Sequence, residues 1–478
     1  MDKYKRLALN TVIFAVGSFS SKIFSLVLNN LYTKNIDPAG FYTKSLIETV
    51  ALFLLPVFTF SMTEAIVRFG LDREYEKKRV FTNAAVMSLF GLTVMLAFVP
   101  ILSVIPFLRP MRGYCILLCI YVWTSSLRQL CSQFTRARGL VKLFSLDGIF
   151  TTVTLFFFSI IFISFMGLGV EGFMLATICS DGLSAVCLFF VSNIKRFFDL
   201  SFLDRELSEK MLRFAVPLIP STVMWTFTGF SDQIFISNMH SDTVELGDAA
   251  AGIYSAATKV PNLLSMAATI FSMAWNMSAI MVNRSRRKRK FYSRVLKGYQ
   301  SILFVSAAFL ILTVRPVSAL LINYSTFPEY SRAYVYTPML ICASVFVCLN
   351  HFIYGIYTAT KRSMNAFLTV FATLCANLVM NAVFIPRLGI HGACLATFLS
   401  YAACFSLRMA DIQRYEPFRY DIMETVVNAV LLILMSISVM TLENRHFLLS
   451  IFPAAGIVFL NRKELRRTAE RILKRKRV

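Results

Sequence analysis

Residues 168–181 read LGVEGFMLATICSD, and residues 388–401 read LGIHGACLATFLSY. Seven of the fourteen positions are identical without a gap, at a spacing of 220 residues. A second echo, Ala39-Gly40-Phe41-Tyr42 against Ala251-Gly252-Ile253-Tyr254, is spaced by 212. Each copy stands at the same place relative to a long apolar run, and the two copies lie six runs apart. Because six is even, both copies cross a membrane in the same direction, the signature of parallel repeats related by an axis along the membrane normal. The repeat assigns spans one to six to an N-terminal lobe, residues 1–200, and spans seven to twelve to a second lobe, residues 201–415. Residues 416–478 hold two further spans and a basic tail.

Composition agrees with that reading. The chain has 478 residues, 57% of them hydrophobic and 16% charged, whereas a soluble domain is about half apolar and about a quarter charged. A disordered or ordinary soluble protein is excluded. With roughly 20 mostly apolar residues needed per crossing, the apolar runs give fourteen spans: 9–31, 42–66, 80–106, 113–134, 144–166, 171–193, 212–237, 251–281, 295–320, 333–357, 365–385, 390–410, 422–440 and 446–461. The last is short, and thirteen spans is the alternative count. The first apolar run follows only a few basic residues and lacks a small-residue cleavage site, so it is read as a retained span. The expected fold is an all-α membrane protein of about fourteen transmembrane helices.

The net charge of +23, from 49 Lys and Arg against 26 Asp and Glu, is an orientation signal. Thirty-eight of the basic residues fall in the termini and in the loops on one side, including eight between Arg284 and Lys297 and nine from Arg462 onward. Seven fall in the opposite loops, and Lys22, Lys44, Arg128 and Lys259 lie within spans. By the positive-inside rule both termini face the cytoplasm. The basic run and tail read as topology signals that also meet anionic lipid headgroups, not as a nucleic-acid patch. The ten cysteines all lie within spans, without CxxC or a Cys/His cluster, and read as small packing residues. No histidine has a ligand partner at helical spacing, so no metal site is expected.

Polar residues recur on single helical faces within the spans: Ser18, Lys22, Ser25 and Asn29 in the first; Ser221, Trp225, Thr228 and Asp232 in the seventh; Ser255, Lys259 and Asn262 in the eighth; Asn350, Tyr354 and Tyr357 in the tenth; Thr373, Asn377 and Asn381 in the eleventh. Such stripes face protein or water, because lipid offers them no partners. Lys22 sits roughly 20 Å from the cytoplasmic end at 1.5 Å per residue, too deep for snorkelling, and is read as a cavity or ion-pair residue. Two readings stand for Lys44 and Arg128, snorkelling or function. Glu48 and Lys259 occupy nearly the same place in their lobes. Asp232 is either functional or a partner for Lys259. The sequence carries no GxxxxGK[ST] loop, no arguable catalytic triad and no sizeable outer domain, which weighs against an enzyme, and no cofactor is implied.

With these residues in view, the chain resembles the polysaccharide and oligosaccharide-lipid flippases of the multidrug/oligosaccharidyl-lipid/polysaccharide (MOP) exporter superfamily. The features that carry the resemblance are the basic N-terminus with its polar first span, the paired Ala-Gly-x-Tyr and Leu-Gly-(Val/Ile)-x-Gly turns, Phe214-Ala215-Val216-Pro217-Leu218-Ile219-Pro220, and Ser231-Asp232-Gln233-Ile234-Phe235-Ile236. The resemblance implies a two-lobed transporter that carries a lipid-linked glycan, expected to be polyprenyl diphosphate-linked, from the cytoplasmic to the outer leaflet for surface polysaccharide, lipopolysaccharide or O-antigen synthesis. Its expected partners are that glycan, membrane lipids and glycan-assembly proteins, and no nucleic acid. By position Lys22, Arg128 and Lys259, with Asn29, Asn262 and Tyr354, are the substrate-binding candidates, and Glu48 and Asp232 the ion-coupling candidates. A cation-coupled multidrug exporter of the same fold is the first alternative; a polytopic enzyme of glycan assembly is the second.

Overall fold

The computed structural model describes residues 24, 27–72, 74–282, 286–360, 362–441 and 446–475, and among these it is helical, with no strand. The chain divides into two compact units, Met1–Phe230 and Ser231–Val478. The first contains α1 (27–35), α2 (Pro38–Phe58), α3 (Met62–Gly70), α4 (Lys77–Val104), α5 (Cys115–Ala137), α6 (Val141–Ser159), α7 (Gly169–Val191) and α8 (Arg205–Ala215), and α9 (Ile219–Asn238) runs through the division. The second contains α10 (Asp248–Ala257), α11 (Pro261–Val282), α12 (Lys288–Leu312), α13 (Val314–Leu321), α14 (Ala333–Ala359), α15 (Ser363–Leu388), α16 (Ile390–Tyr415), α17 (Ile422–Thr441) and α18 (His446–Arg475). Ten helices among the described residues are long and apolar enough to cross a membrane, and they answer to expected spans two to six and nine to thirteen. Helices α9, α11 and α18 lie where spans seven, eight and fourteen were expected. Most of the first span lies outside the described residues.

The repeated Leu-Gly-x-x-Gly turn has a backbone explanation. Gly169 and Gly389, its second position in each copy, both have left-handed φ, +53° and +59°, a conformation that costs a side-chain-bearing residue roughly 1–2 kcal/mol. The final glycines admit the preceding helix: a Cβ on Gly172 would stand 2.9 Å from the Phe162 carbonyl oxygen, and one on Gly392 would stand 2.4 Å from that of Phe384. A backbone carbonyl has no rotamer with which to yield. Gly392→Ala is therefore expected to destabilise the second unit by about 1–3 kcal/mol, as overpacking does, and Gly172→Ala to cost less. Thermal unfolding of the two variants checks the order, and an unchanged Gly392→Ala midpoint would count against the close approach.

Several expected spans are broken. Span 42–66 is two helices, α2 and α3, parted where Phe60 and Ser61 adopt left-handed φ of 51° and 50°. Span 251–281 is likewise α10 and α11, parted at 258–260 before Pro261, whose missing N–H suits the first helical turn. The ninth span ends at Leu312 and is followed by the short α13. The seventh span starts at Ile219; before it stand the separate helix α8 and a 3-10 turn, Val216–Leu218, that holds Pro217. Apolar content alone hid these breaks, since a kinked span and a straight one have the same hydropathy.

Helix α8 is amphipathic. Asp204 caps it by accepting from the Leu207 N–H, and Leu207, Met211 and Ala215 are buried at i, i+4 and i+8. They join a core with Met62 and Ile66 of α3, Val80 and Ala84 of α4, and Phe134 of α5. The loop before α8 is clamped to the start of α4: Lys78 pairs with Asp199 at 2.8 Å, Thr82 donates to the Phe197 carbonyl at 3.0 Å, and Asn83 accepts from the Asp204 N–H at 3.0 Å. The Lys78 ammonium, with the Ser201 hydroxyl and amide, holds the Asp199 carboxyl down to about 2. A depressed carboxylate stabilises the fold above its unfolded value of about 4 and loses that contribution as pH falls through its folded value. The destabilisation caused by Asp199→Asn is thus expected at neutral pH and should shrink between about pH 4 and about pH 2. Unfolding curves of both proteins across that window check it; a difference independent of pH would exclude the ionic clamp.

Arg408, counted with the cytoplasmic loops in the sequence, is a correction: it lies within α16 at 2% exposure. Its guanidinium donates to the Thr369 hydroxyl of α15 at 3.0 Å and the Asn350 carbonyl of α14 at 3.1 Å. It joins three helices, and its removal from the loop tally leaves the charge asymmetry intact.

Candidate functional site

The second unit builds a carboxylate cradle at Asp232, on α9. The side chain is 1% exposed. Asn381 donates to its Oδ1 at 2.6 Å and Asn377 at 3.3 Å. Tyr254 donates to its Oδ2 at 2.6 Å, and Thr397 donates to the same oxygen. Helices α9, α10, α15 and α16 thus converge on one carboxylate. Asn377 and Asn381 share a face because they are four residues apart, and Ser231 completes the group by donating to Asn377 Oδ1 at 2.6 Å. All four donors to Asp232 are neutral; a pair with Lys259, one of the two sequence readings, is not among its contacts. Between them the four donors satisfy both oxygens of the carboxylate. The shell is also rich in oxygen: Asn381 Oδ1 is buried and has no hydrogen-bond partner. With the amides and hydroxyls turned, the same residues present the oxygen ligands a hard cation takes.

The first unit holds two charged groups. On α2, Lys44 is 2% exposed and pairs with Glu48 at 2.7 Å, one turn along the helix. Its ammonium lies 4.6 Å from the ring centroid of Phe173, 4.8 Å from Tyr32 and 5.6 Å from Phe41. Three aromatic faces and one carboxylate therefore enclose it. Snorkelling, one of the two readings of Lys44, requires the ammonium to reach the interface, and the enclosure shows that it does not. Glu48 is half-buried, and its carboxylate is engaged by Lys44.

Arg128 of α5 joins α6 and α7. It pairs with Asp181 at 2.9 Å and Asp147 at 3.3 Å, and it donates to Thr151 at 3.3 Å. Ser132 donates to Asp147 at 3.0 Å, Ser184 donates to the other oxygen of Asp147, and Ser125 donates to Asp181. Two carboxylates share one guanidinium, whose side chain is half-buried. Asp147 and Asp181 are site residues that sequence reasoning missed. The available signal was an Asp-Gly inside each of two apolar spans, since an intramembrane carboxylate is expensive without a partner.

Lys22 lies outside the described residues. Asn29 on α1 is half-buried, Lys259 is half-buried at the break between α10 and α11, Asn262 is exposed in the first turn of α11, and Tyr354 on α14 is 46% exposed. None of these four described residues is among the contacts of Asp232.

A family model described as polysaccharide biosynthesis protein matches residues 7–276. The chain belongs to that family. No curated protein matches this polysaccharide biosynthesis family member, but solved structures share its fold. A lipid II flippase, MurJ, in an inward closed conformation is 14% identical, with a TM-score of 0.71 over 96% of this chain and 99% of that one. A multidrug resistance MATE family transporter of the MOP superfamily, facing inward, is 16% identical, with a TM-score of 0.67 over 84% and 98%. A Vibrio cholerae MATE transporter, VcmN, in a mutant form is 16% identical, with a TM-score of 0.61 over 86% and 98%. The fold is thus shared with multi-pass membrane transporters.

Proposed function

We propose that this protein is a flippase that carries a lipid-linked oligosaccharide, polyprenyl diphosphate-linked, from the cytoplasmic to the outer leaflet of the inner membrane by alternating access. The observation that carries the reading is the polysaccharide biosynthesis family match over residues 7–276, together with a fold likeness to a lipid II flippase over 96% of the chain. The product serves surface polysaccharide synthesis, of the lipopolysaccharide O-antigen kind, beside glycan-assembly proteins. Both termini are cytoplasmic, as the basic excess on one side requires. Residues 1–200 and 201–415 form the moving lobes, and 416–478 lie outside them. Lys22 and Lys259, with Asn29, Asn262 and Tyr354, meet the diphosphate or the sugars, and an in-span ammonium gives an anionic headgroup a strong but reversible hold.

Lys22→Ala is expected to impair glycan display in a flippase-deficient strain with a matched glycan pathway, while the wild-type chain restores it and membrane insertion is unchanged. Normal surface polysaccharide in the variant would remove Lys22 from the site. The Asp232 cradle favours a second reading for coupling: a proton or sodium ion bound there drives the cycle, as in a cation-coupled multidrug exporter. Dye efflux that depends on Asp232 and ignores Lys22 and Lys259 would make that exporter the better description. A chemically altered glycan would point to an enzyme instead, since a flippase returns its substrate unchanged.

A further inference from the structure

Helix α12 starts in the basic run and ends at Leu312, 25 residues on, or about 37 Å at 1.5 Å per residue. Just past that end, α13 and the turn Pro328–Arg332 enclose a cavity of about 360 Å³. This lies within the size range of small-ligand sites, roughly 300–1,000 Å³. Its wall holds three tyrosines, 324, 330 and 334, the hydroxyls of Ser318 and Ser331, and the guanidinium of Arg315, with no carboxylate among the lining residues.

The groups are held at different depths. Arg315 lies 4.8 Å over the Tyr334 ring and donates to its hydroxyl at 3.0 Å, so the cation is fixed against the wall. Tyr330 is buried and meets Phe327 edge-on at 6.4 Å. Tyr324 is 47% exposed and lines the same cavity. Ser318 is 6% exposed, and its hydroxyl is buried without a hydrogen-bond partner. A buried hydroxyl left unpaired is destabilising, and one that lines a cavity gains a partner when a polar ligand enters.

We propose that this cavity is an exit-side saccharide subsite for an acidic sugar. A pyranose has an apolar C–H face and a polar rim. The face packs on Tyr324, the rim hydroxyls meet Ser318 and Ser331, and a sugar carboxylate pairs with Arg315 in the charge-assisted geometry that favours guanidinium. The subsite rests on the flippase reading for its meaning, because only in that topology does this end of α12 face the outer leaflet. It would receive the glycan, still joined to its carrier lipid, as it leaves the transport path.

Saturation-transfer NMR on the full-length protein in nanodiscs tests it, with methyl glucuronide and methyl glucoside as the probes. The glucuronide is expected to bind in preference to the glucoside, Tyr324→Ala to weaken it about threefold to tenfold, and Arg315→Gln to remove the preference. Tyr324 is exposed, so its replacement leaves the fold intact. Equal transfer to both sugars in the wild type, or a glucuronide signal unmoved by Tyr324→Ala, would overturn the subsite. In intact cells, Ser331→Cys is expected to react with an impermeant maleimide; labelling only after lysis would overturn its exit-side placement. Translocation of a lipid-linked glycan without saccharide binding here rejects the subsite alone, whereas saccharide binding without translocation rejects the flippase reading alone.

Discussion

Arg128→Leu is expected to cost about 3–5 kcal/mol of stability, the penalty for removing one partner of a buried ion pair. Asp147 and Asp181 have side chains 2% and 10% exposed, and without the guanidinium two carboxylates face each other across the junction of α5, α6 and α7. Their serine donors remain, but hydroxyl dipoles do not neutralise two charges. Arg128→Lys is expected to recover only part of the loss, because one ammonium cannot fork to two carboxylates as a guanidinium does. Adding Asp181→Asn to Arg128→Leu should restore part of the stability, since it removes one of the two uncompensated charges, and the coupling can be read from the double-mutant cycle. Additive losses, or an unfolding midpoint for Arg128→Leu equal to the wild type, would show that the network contributes nothing.

Asp232→Asn is expected to abolish gradient-driven transport. The amide is nearly isosteric, but it replaces a carboxylate that accepts from Tyr254, Thr397, Asn377 and Asn381 with a group that offers one oxygen and a competing donor. At least one buried donor loses its acceptor, at about 1–3 kcal/mol. More important, the shell loses the one formal charge that can bind a proton or a cation. In proteoliposomes with an imposed proton or sodium gradient, wild-type transport should follow the gradient, and the variant should fall to the gradient-free rate. A variant that still responds to both gradients would move coupling elsewhere, with Glu48 the next residue to replace.

The sequence was informative where chemistry and periodicity coincide. The stripes of the seventh and eleventh spans named Asp232, Asn377 and Asn381 as facing protein or water, and the structure brings the three together. Tyr254 was visible as the end of an Ala-Gly-x-Tyr echo, though nothing in one sequence says that its hydroxyl meets Asp232 from another helix. The repeated glycines were legible as an echo, and left-handed φ with a close carbonyl explains them. Lys44 was ambiguous because depth in a span does not reveal enclosure: its aromatic box draws Tyr32, Phe41 and Phe173 from three helices. Asp147 and Asp181 stood in plain view, but their partner is a guanidinium on a third helix, and that pairing is tertiary. The helix breaks at 59–61 and 258–260 were hidden for the reason hydropathy always hides them: bending a helix changes none of its side chains.

The most direct test is translocation of an intact lipid-linked oligosaccharide in proteoliposomes containing only the purified protein. Substrate is loaded in the inner leaflet, and its arrival outside is followed with an impermeant lectin or glycosidase. A flippase exposes the glycan in a protein-dependent manner and returns it chemically unchanged, and Lys22→Ala slows that exposure. Exposure no faster than in protein-free vesicles, under either cation gradient, would contradict the assignment.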